Sequence, residues 1–138
     1  MGQKAVVYLT VGDVIALYDL AMRASGQDPG ALVREDALQS AVHHPRNLAW
    51  YEDASLAEQA VELMLHIALA HAWVDGNKRI ATLSLYMFLG RNGVTVPSED
   101  EYRTVADQLV SWRASSPEER PSIRDDLVRR VSGWTSYV

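Results

Sequence analysis

The chain has 138 residues, enough for one domain around one core, and its 48% hydrophobic and 22% charged residues are the balance of a soluble globular protein. Lys and Arg number 13 against 18 Asp and Glu; the net charge of −5 argues against direct nucleic-acid binding, because a duplex binder presents a basic face. The absence of cysteine excludes disulfides, thiolate metal sites and a cysteine nucleophile, and with no membrane-length apolar run and no leader after Met1 the expected location is cytoplasmic, without a membrane partner.

Read in chain order, the punctuation is helical. Thr10 and Asp13, Ser55 and Glu58, and Ser98 and Glu101 each place a hydroxyl three residues before an acid, the capping-box spacing. After Thr10, Val14, Leu17 and Ala21 share one helical face, and Gly26 is a stop. Residues 34 to 44 read as a second, short helix ended by Pro45. The stretch RNLAWYEDA, residues 46 to 54, has no helical stripe; it reads as a short extended flap or hairpin, or as a loop that tucks Trp50 into the core. From Ser55 to about Val74 the sequence is apolar on most sides, which predicts the buried central helix. Another helix covers about Asn77 to Arg91 and closes at Asn92 and Gly93. Val105, Leu109 and Trp112, then Ile123, Leu127 and Val131, mark two more, separated by Pro117 and Pro121. The predicted architecture is all-α: a six-helix bundle, one domain over 1–138, with an extended flap before the central helix.

The junction HAWVDGNKR, His71 to Arg79, breaks a rule. Helix starts favour negative charge, because the first amide N–H groups point outward unpaired, yet this helix opens with Lys78 and Arg79. Two cations there cost only a few tenths of a kcal/mol each, so a solvated basic first turn is one reading. The neighbours offer another. Gly76 allows close backbone approach, and the amides beyond it can converge on an anion. Arg79 adds a fork suited to phosphate oxygens, Asp75 a carboxylate suited to Mg2+, and His71 a base one turn earlier. On that reading the counter-charge of the cations is a ligand.

This motif resembles the signature of the Fic/Doc superfamily, carried by His71, Trp73 in the aromatic slot, Asp75, Gly76, Asn77 and Arg79; the similarity extends to the opening helix, the region before the motif, the central helix and FLGRNGV at 88–94. In the Fic branch, which transfers AMP to proteins, a glycine stands where this chain has Lys78, and an arginine stands where it has Thr82. Both departures match the Doc branch, toxins of plasmid-addiction modules that phosphorylate a threonine of elongation factor Tu and stop translation. In that branch the filled pocket reverses the nucleotide, so that the γ-phosphate lies where Fic enzymes hold the α-phosphate.

The resemblance implies ATP and Mg2+ as cofactors. His71 would deprotonate the acceptor hydroxyl, Asp75 would hold Mg2+, and Asn77, Lys78 and Arg79 would surround the transferred phosphoryl group. Gly76 would give backbone room and an amide, and residues 46–53 would align the target peptide by main-chain edge pairing. Leu83 stands where Doc has an Asn on the helix after the motif. No built-in inhibitory helix is found, since Ser115 and Glu119 have its spacing but Arg120 follows them. A separate antitoxin covering the site is therefore implied. The sequence also admits two alternatives: AMP transfer to a protein hydroxyl, and a helical interaction module with a decayed site.

Other residues attract less chemistry. His66 and His71 are five apart, about 140° around a helix, so they do not share a face as paired zinc ligands would. His66 reads as a packed or boundary histidine, His43 and His44 as cations at a helix end, and Trp112 and Trp134 as core. Asp125, Asp126, Arg129 and Arg130 read as a solvated face, and Ser84 has no partners for a hydrolase triad.

Overall fold

The expected caps are where helices begin in a computed structural model of the chain, which describes residues 5–135; Met1, at which no leader was expected, lies outside the described residues. Among the described residues there are six α-helices: α1 (Val11–Ala24), α2 (Glu35–Glu52), α3 (Leu56–Ala70), α4 (Asn77–Arg91), α5 (Glu99–Ala114) and α6 (Arg120–Thr135). Thr10 and Ser55 complete true capping boxes with Asp13 and Glu58, hydroxyl to backbone and carboxylate back to backbone. Ser98 accepts from the Glu101 N–H at 3.3 Å. The all-α class is as the sequence implied. No helix among the described residues is long and apolar enough to cross a membrane.

The flap is the correction. Residues 46–52 are neither extended nor a loop; α2 continues through Pro45 to Glu52 and ends only where Asp53 turns left-handed, at φ +51°. Pro45 removes one N–H from the helix ladder, normally a cost of about 3 kcal/mol. Here its ring is buried against the core with Leu38, Ala41 and Val42, which offsets part of that cost. The stretch after Pro45 lacks a stripe because much of it faces solvent: Trp50 is 81% and Tyr51 80% exposed, so Trp50 is not tucked into the core. A helical segment has no free main-chain edge, so a target peptide cannot be aligned there by strand pairing. His44 is correspondingly mid-helix rather than at a helix end.

The central helix is α3, with Ala57, Ala60, Val61, Leu63, Met64, Leu65, Ile67 and Ala68 all buried. It packs against α2, α4 and α6, while α1 covers α4 and α5 leans on α6 and α4. On α1 the buried row is Val14, Tyr18 and Met22, with Leu17 only partly covered, one step around from the face read off the sequence. Trp112 and Trp134 are core residues as expected, whereas Arg130 is drawn from its solvated face onto Glu101 at 2.8 Å, linking α6 to α5. Ser84 is fully buried with an unpartnered hydroxyl.

Candidate active site

The junction from α3 to α4 is a short link whose shape is fixed on all sides. It begins at His71, which caps α3 in the left-handed region at φ +45° and ψ +48°. For a residue other than glycine that conformation costs roughly 1–2 kcal/mol, and neighbouring bonds hold it. The Ala72 carbonyl accepts from the N–H groups of Val33 and Arg34 at 2.7 and 3.1 Å. The Trp73 ring stacks on Tyr18, centroids 4.1 Å apart and planes 11° off parallel. Asn77 then closes the loop from inside: its side-chain N–H donates to the Trp73 carbonyl at 2.7 Å, and its oxygen accepts from the Trp73 N–H at 3.1 Å.

Asp75 is held by its backbone and left open at its tip. Its carbonyl accepts from the Tyr18 hydroxyl at 2.9 Å, and Oδ1 accepts from the Gly76 N–H at 2.8 Å. Oδ2 faces solvent on an exposed side chain without a partner. Gly76 is required as glycine twice over. Its φ is +82°, and a Cβ there would lie 3.1 Å from the Tyr18 ring and 3.2 Å from the Met22 sulfur.

Gly76 is the N-cap of α4, and no side chain caps that helix. Ile80 is the first residue whose N–H bonds back, to the Gly76 carbonyl at 3.0 Å, so the amides of Asn77, Lys78 and Arg79 lead outward. The Lys78 side chain is exposed and unpaired. The Arg79 guanidinium is braced against α1, donating to Ser25 Oγ at 2.8 Å and lying beside the Met22 sulfur.

These groups surround one open cleft of about 600 Å³, lined by His71, Asp75, Gly76, Asn77, Lys78 and Arg79 together with Val74, Gln27 and Arg113. All six residues singled out from the sequence therefore meet in one place. They do not all present what was expected of them. Both polar atoms of the Asn77 side chain are engaged by Trp73, so what it offers the cleft is its backbone N–H. The Gly76 N–H is likewise taken by Asp75.

The sequence reading missed Arg113, near the end of α5. Its Nη2 stands 2.6 Å from His71 Nε2. A guanidinium only donates, so Nε2 is the acceptor and the ring proton sits on Nδ1. Arg113 thus sets the tautomer of the imidazole and adds a third cation to the cleft, held in place as Arg79 is and Lys78 is not. Tyr18 was missed too: it touches no open space in the cleft but carries both Asp75 and Trp73. Neither residue lies in a local pattern; 42 positions separate Arg113 from His71.

The Fic/DOC family model matches residues 8–89, more than half of the chain, from before α1 to within the last turn of α4. The chain is similar to "Protein kinase doc" of Escherichia phage P1, 31% identical over 131 residues that cover 91% of this chain and 96% of the phage protein. At that coverage the match extends beyond residue 89, where the family model ends, and takes in α5, which supplies Arg113. On both grounds the chain belongs to the Fic/DOC family, as a Doc-type member.

Proposed function

We propose that the protein is a toxin of the Doc kind, a protein kinase that moves the γ-phosphate of ATP onto a Ser or Thr hydroxyl of a translation factor, elongation factor Tu by resemblance, and so inhibits translation in the cytoplasm. The observation that carries this reading is the uncapped start of α4, where three outward amides, Lys78 and Arg79 face an exposed carboxylate and an imidazole across one cleft. A relative of similar length and 31% identity, named as a protein kinase, supports the same chemistry.

The residues fit the groups the reading requires. The open Oδ2 of Asp75 suits Mg2+, which accepts one or two carboxylates and takes its other ligands from phosphates and water. When bound, that ion would neutralise charge on the phosphate oxygens. The amides of α4 and the two cations would hold the phosphoryl group. His71 would take the proton of the acceptor hydroxyl on Nε2; the hydroxyl oxygen would bond to the γ-phosphorus as its bond to the bridging oxygen breaks, and ADP would leave. Arg113 must first come off Nε2, and the phosphates of an arriving nucleotide are the natural counter-charge to draw it away. A separate antitoxin masking this cleft follows from the same reading.

ATP labelled on the γ or the α phosphorus separates the possibilities. With Mg2+, purified protein and a lysate or isolated elongation factor, γ-label is expected on a protein and α-label is not. Retention of α-label would replace phosphoryl by nucleotidyl transfer; retention of neither, with His71→Asn equally toxic, would favour an interaction module.

A further inference from the structure

Away from the cleft, α2 and α3 bring two imidazoles and a carboxylate together. Glu62 and His66 are four apart on α3 and so lie one above the other on a single face. His44 reaches the same face from the middle of α2, a position it has only because that helix continues through Pro45. Glu62 Oε2 stands 3.2 Å from His66 Nε2 and 3.6 Å from His44 Nε2, and the three donor atoms lie within 4.8 Å of one another.

We propose that His44, Glu62 and His66 form a binding site for one divalent transition-metal ion of the zinc class, which clamps α2 to α3. Bonds of about 2.0–2.1 Å in tetrahedral geometry place neighbouring donors roughly 3.3–3.4 Å apart, and the two measured separations bracket that edge. Two imidazoles and one carboxylate select zinc, nickel, cobalt or copper over Mg2+ or Ca2+, which prefer oxygen alone. The other oxygen of Glu62 is already fixed: Arg124 donates to Oε1 at 2.9 Å, which turns Oε2 toward the histidines in the way an outer partner orients a ligand.

The surroundings permit a fourth ligand and a positive charge. A hollow of about 340 Å³ beside the cluster, bordered by Glu62, His66, Trp112 and Arg124, has room for water to complete the coordination. Glu58 and Asp125 stand 3.7 and 3.3 Å from Arg124 and offset its charge. The imidazole centroids are now 3.7 Å apart, whereas two rings on one tetrahedral ion sit about 5 Å apart. Loading therefore parts the rings by somewhat more than about 1 Å, which their side-chain exposures of 27% and 40% allow.

The test uses the full chain, stripped with chelator and dialysed against zinc chloride. One zinc per chain is expected, with a rise in melting temperature, and cobalt in its place should give the intense visible bands of a tetrahedral ion. His44→Ala and His66→Ala should each weaken zinc binding by more than about 100-fold, and Arg124→Gln by about tenfold, as loss of an outer partner does. His43→Ala and His71→Asn should leave it unchanged. Both histidine variants truncate partly exposed rings, so circular dichroism of the zinc-free proteins will show that they fold. No zinc above the stripped background overturns the proposal. So does binding that survives both His44→Ala and His66→Ala, or binding that only His71→Asn abolishes.

Discussion

The starts of α3 and α4 answer the same physical problem in opposite ways. Each helix exposes unpaired amide N–H groups at its first turn. At α3 the chain satisfies them internally: Ser55 accepts from Glu58, Glu58 reaches back to the Ser55 N–H, and an acid sits where the helix dipole wants one. At α4 it satisfies nothing. The cap is a glycine with no side chain, the first turn holds two cations and no acid, and the one nearby carboxylate bonds to the N–H before the helix rather than to those within it. The difference separates a helix start satisfied within the chain from one left open, as the proposed phosphate site requires. The rigidity around the open start has the same sense. Asn77, Trp73 and Tyr18 tie the junction down so that its outward groups stay in place without a ligand.

The comparison breaks most visibly at the base. His71→Asn keeps a residue that tolerates the left-handed backbone and removes the proton acceptor; γ-label transfer is expected to fall by about 10²- to 10⁴-fold with the fold intact by circular dichroism. Transfer within a factor of a few of the parent would remove His71 from the chemistry. Gly76→Ala acts on the backbone instead. Its φ of +82° and the 3.1 Å approach to Tyr18 predict a loss of about 1–3 kcal/mol, read as a lower denaturant midpoint, together with loss of stabilisation by Mg2+ and ATP. An unchanged midpoint would mean that Tyr18 and Met22 give way freely.

Sequence exposed both helix starts but not the walls of the cleft, because their causes are local to different degrees. The Ser55 and Glu58 box is written in four consecutive residues, and so is the departure at Gly76, Asn77, Lys78 and Arg79. What closes the cleft is not local. Arg113 reaches His71 from α5, Ser25 braces Arg79 from the end of α1, and Tyr18 supports Asp75 across 57 positions. Each depends on how helices pack, which no short window records. The misreading at Pro45 has the converse cause: the local rule that proline stops a helix is sound, and burial of this ring in the core outweighs it. With that helix cut short, His44 could not be placed beside Glu62 and His66.

Arg113 sharpens the contrast between a cleft that is merely basic and one that is arranged. Arg113→Ala is expected to raise the KM for ATP about tenfold and to lower kcat less, with Arg113→Lys restoring part of the KM because it keeps the charge but not the fork. If KM is unmoved and kcat rises, the guanidinium only masks the base and does not greet the nucleotide.

The smallest effect lies at a third helix start, that of α1, and it carries a sign. Asp13 closes the box with Thr10 and also accepts from Arg91 at 2.6 Å; the bond to Arg91 first, and the Thr10 N–H next, hold its carboxyl down to about 2, below its ordinary 3.8. The folded protein therefore favours the ionised form. That stability is present in full above about pH 4 and is lost as the pH falls through 2. The group lies at the surface, where water screens the pair, so the contribution is about 1 kcal/mol. Asp13→Asn should be less stable than the parent by about that amount at neutral pH, as read from denaturant midpoints, and the gap should close on acidification toward pH 2. A gap of constant size would assign the loss to altered packing of the cap. The start of α4 has no carboxylate within its first turn, so no acid titration of this kind belongs to it, and its stabilisation should track phosphate concentration instead.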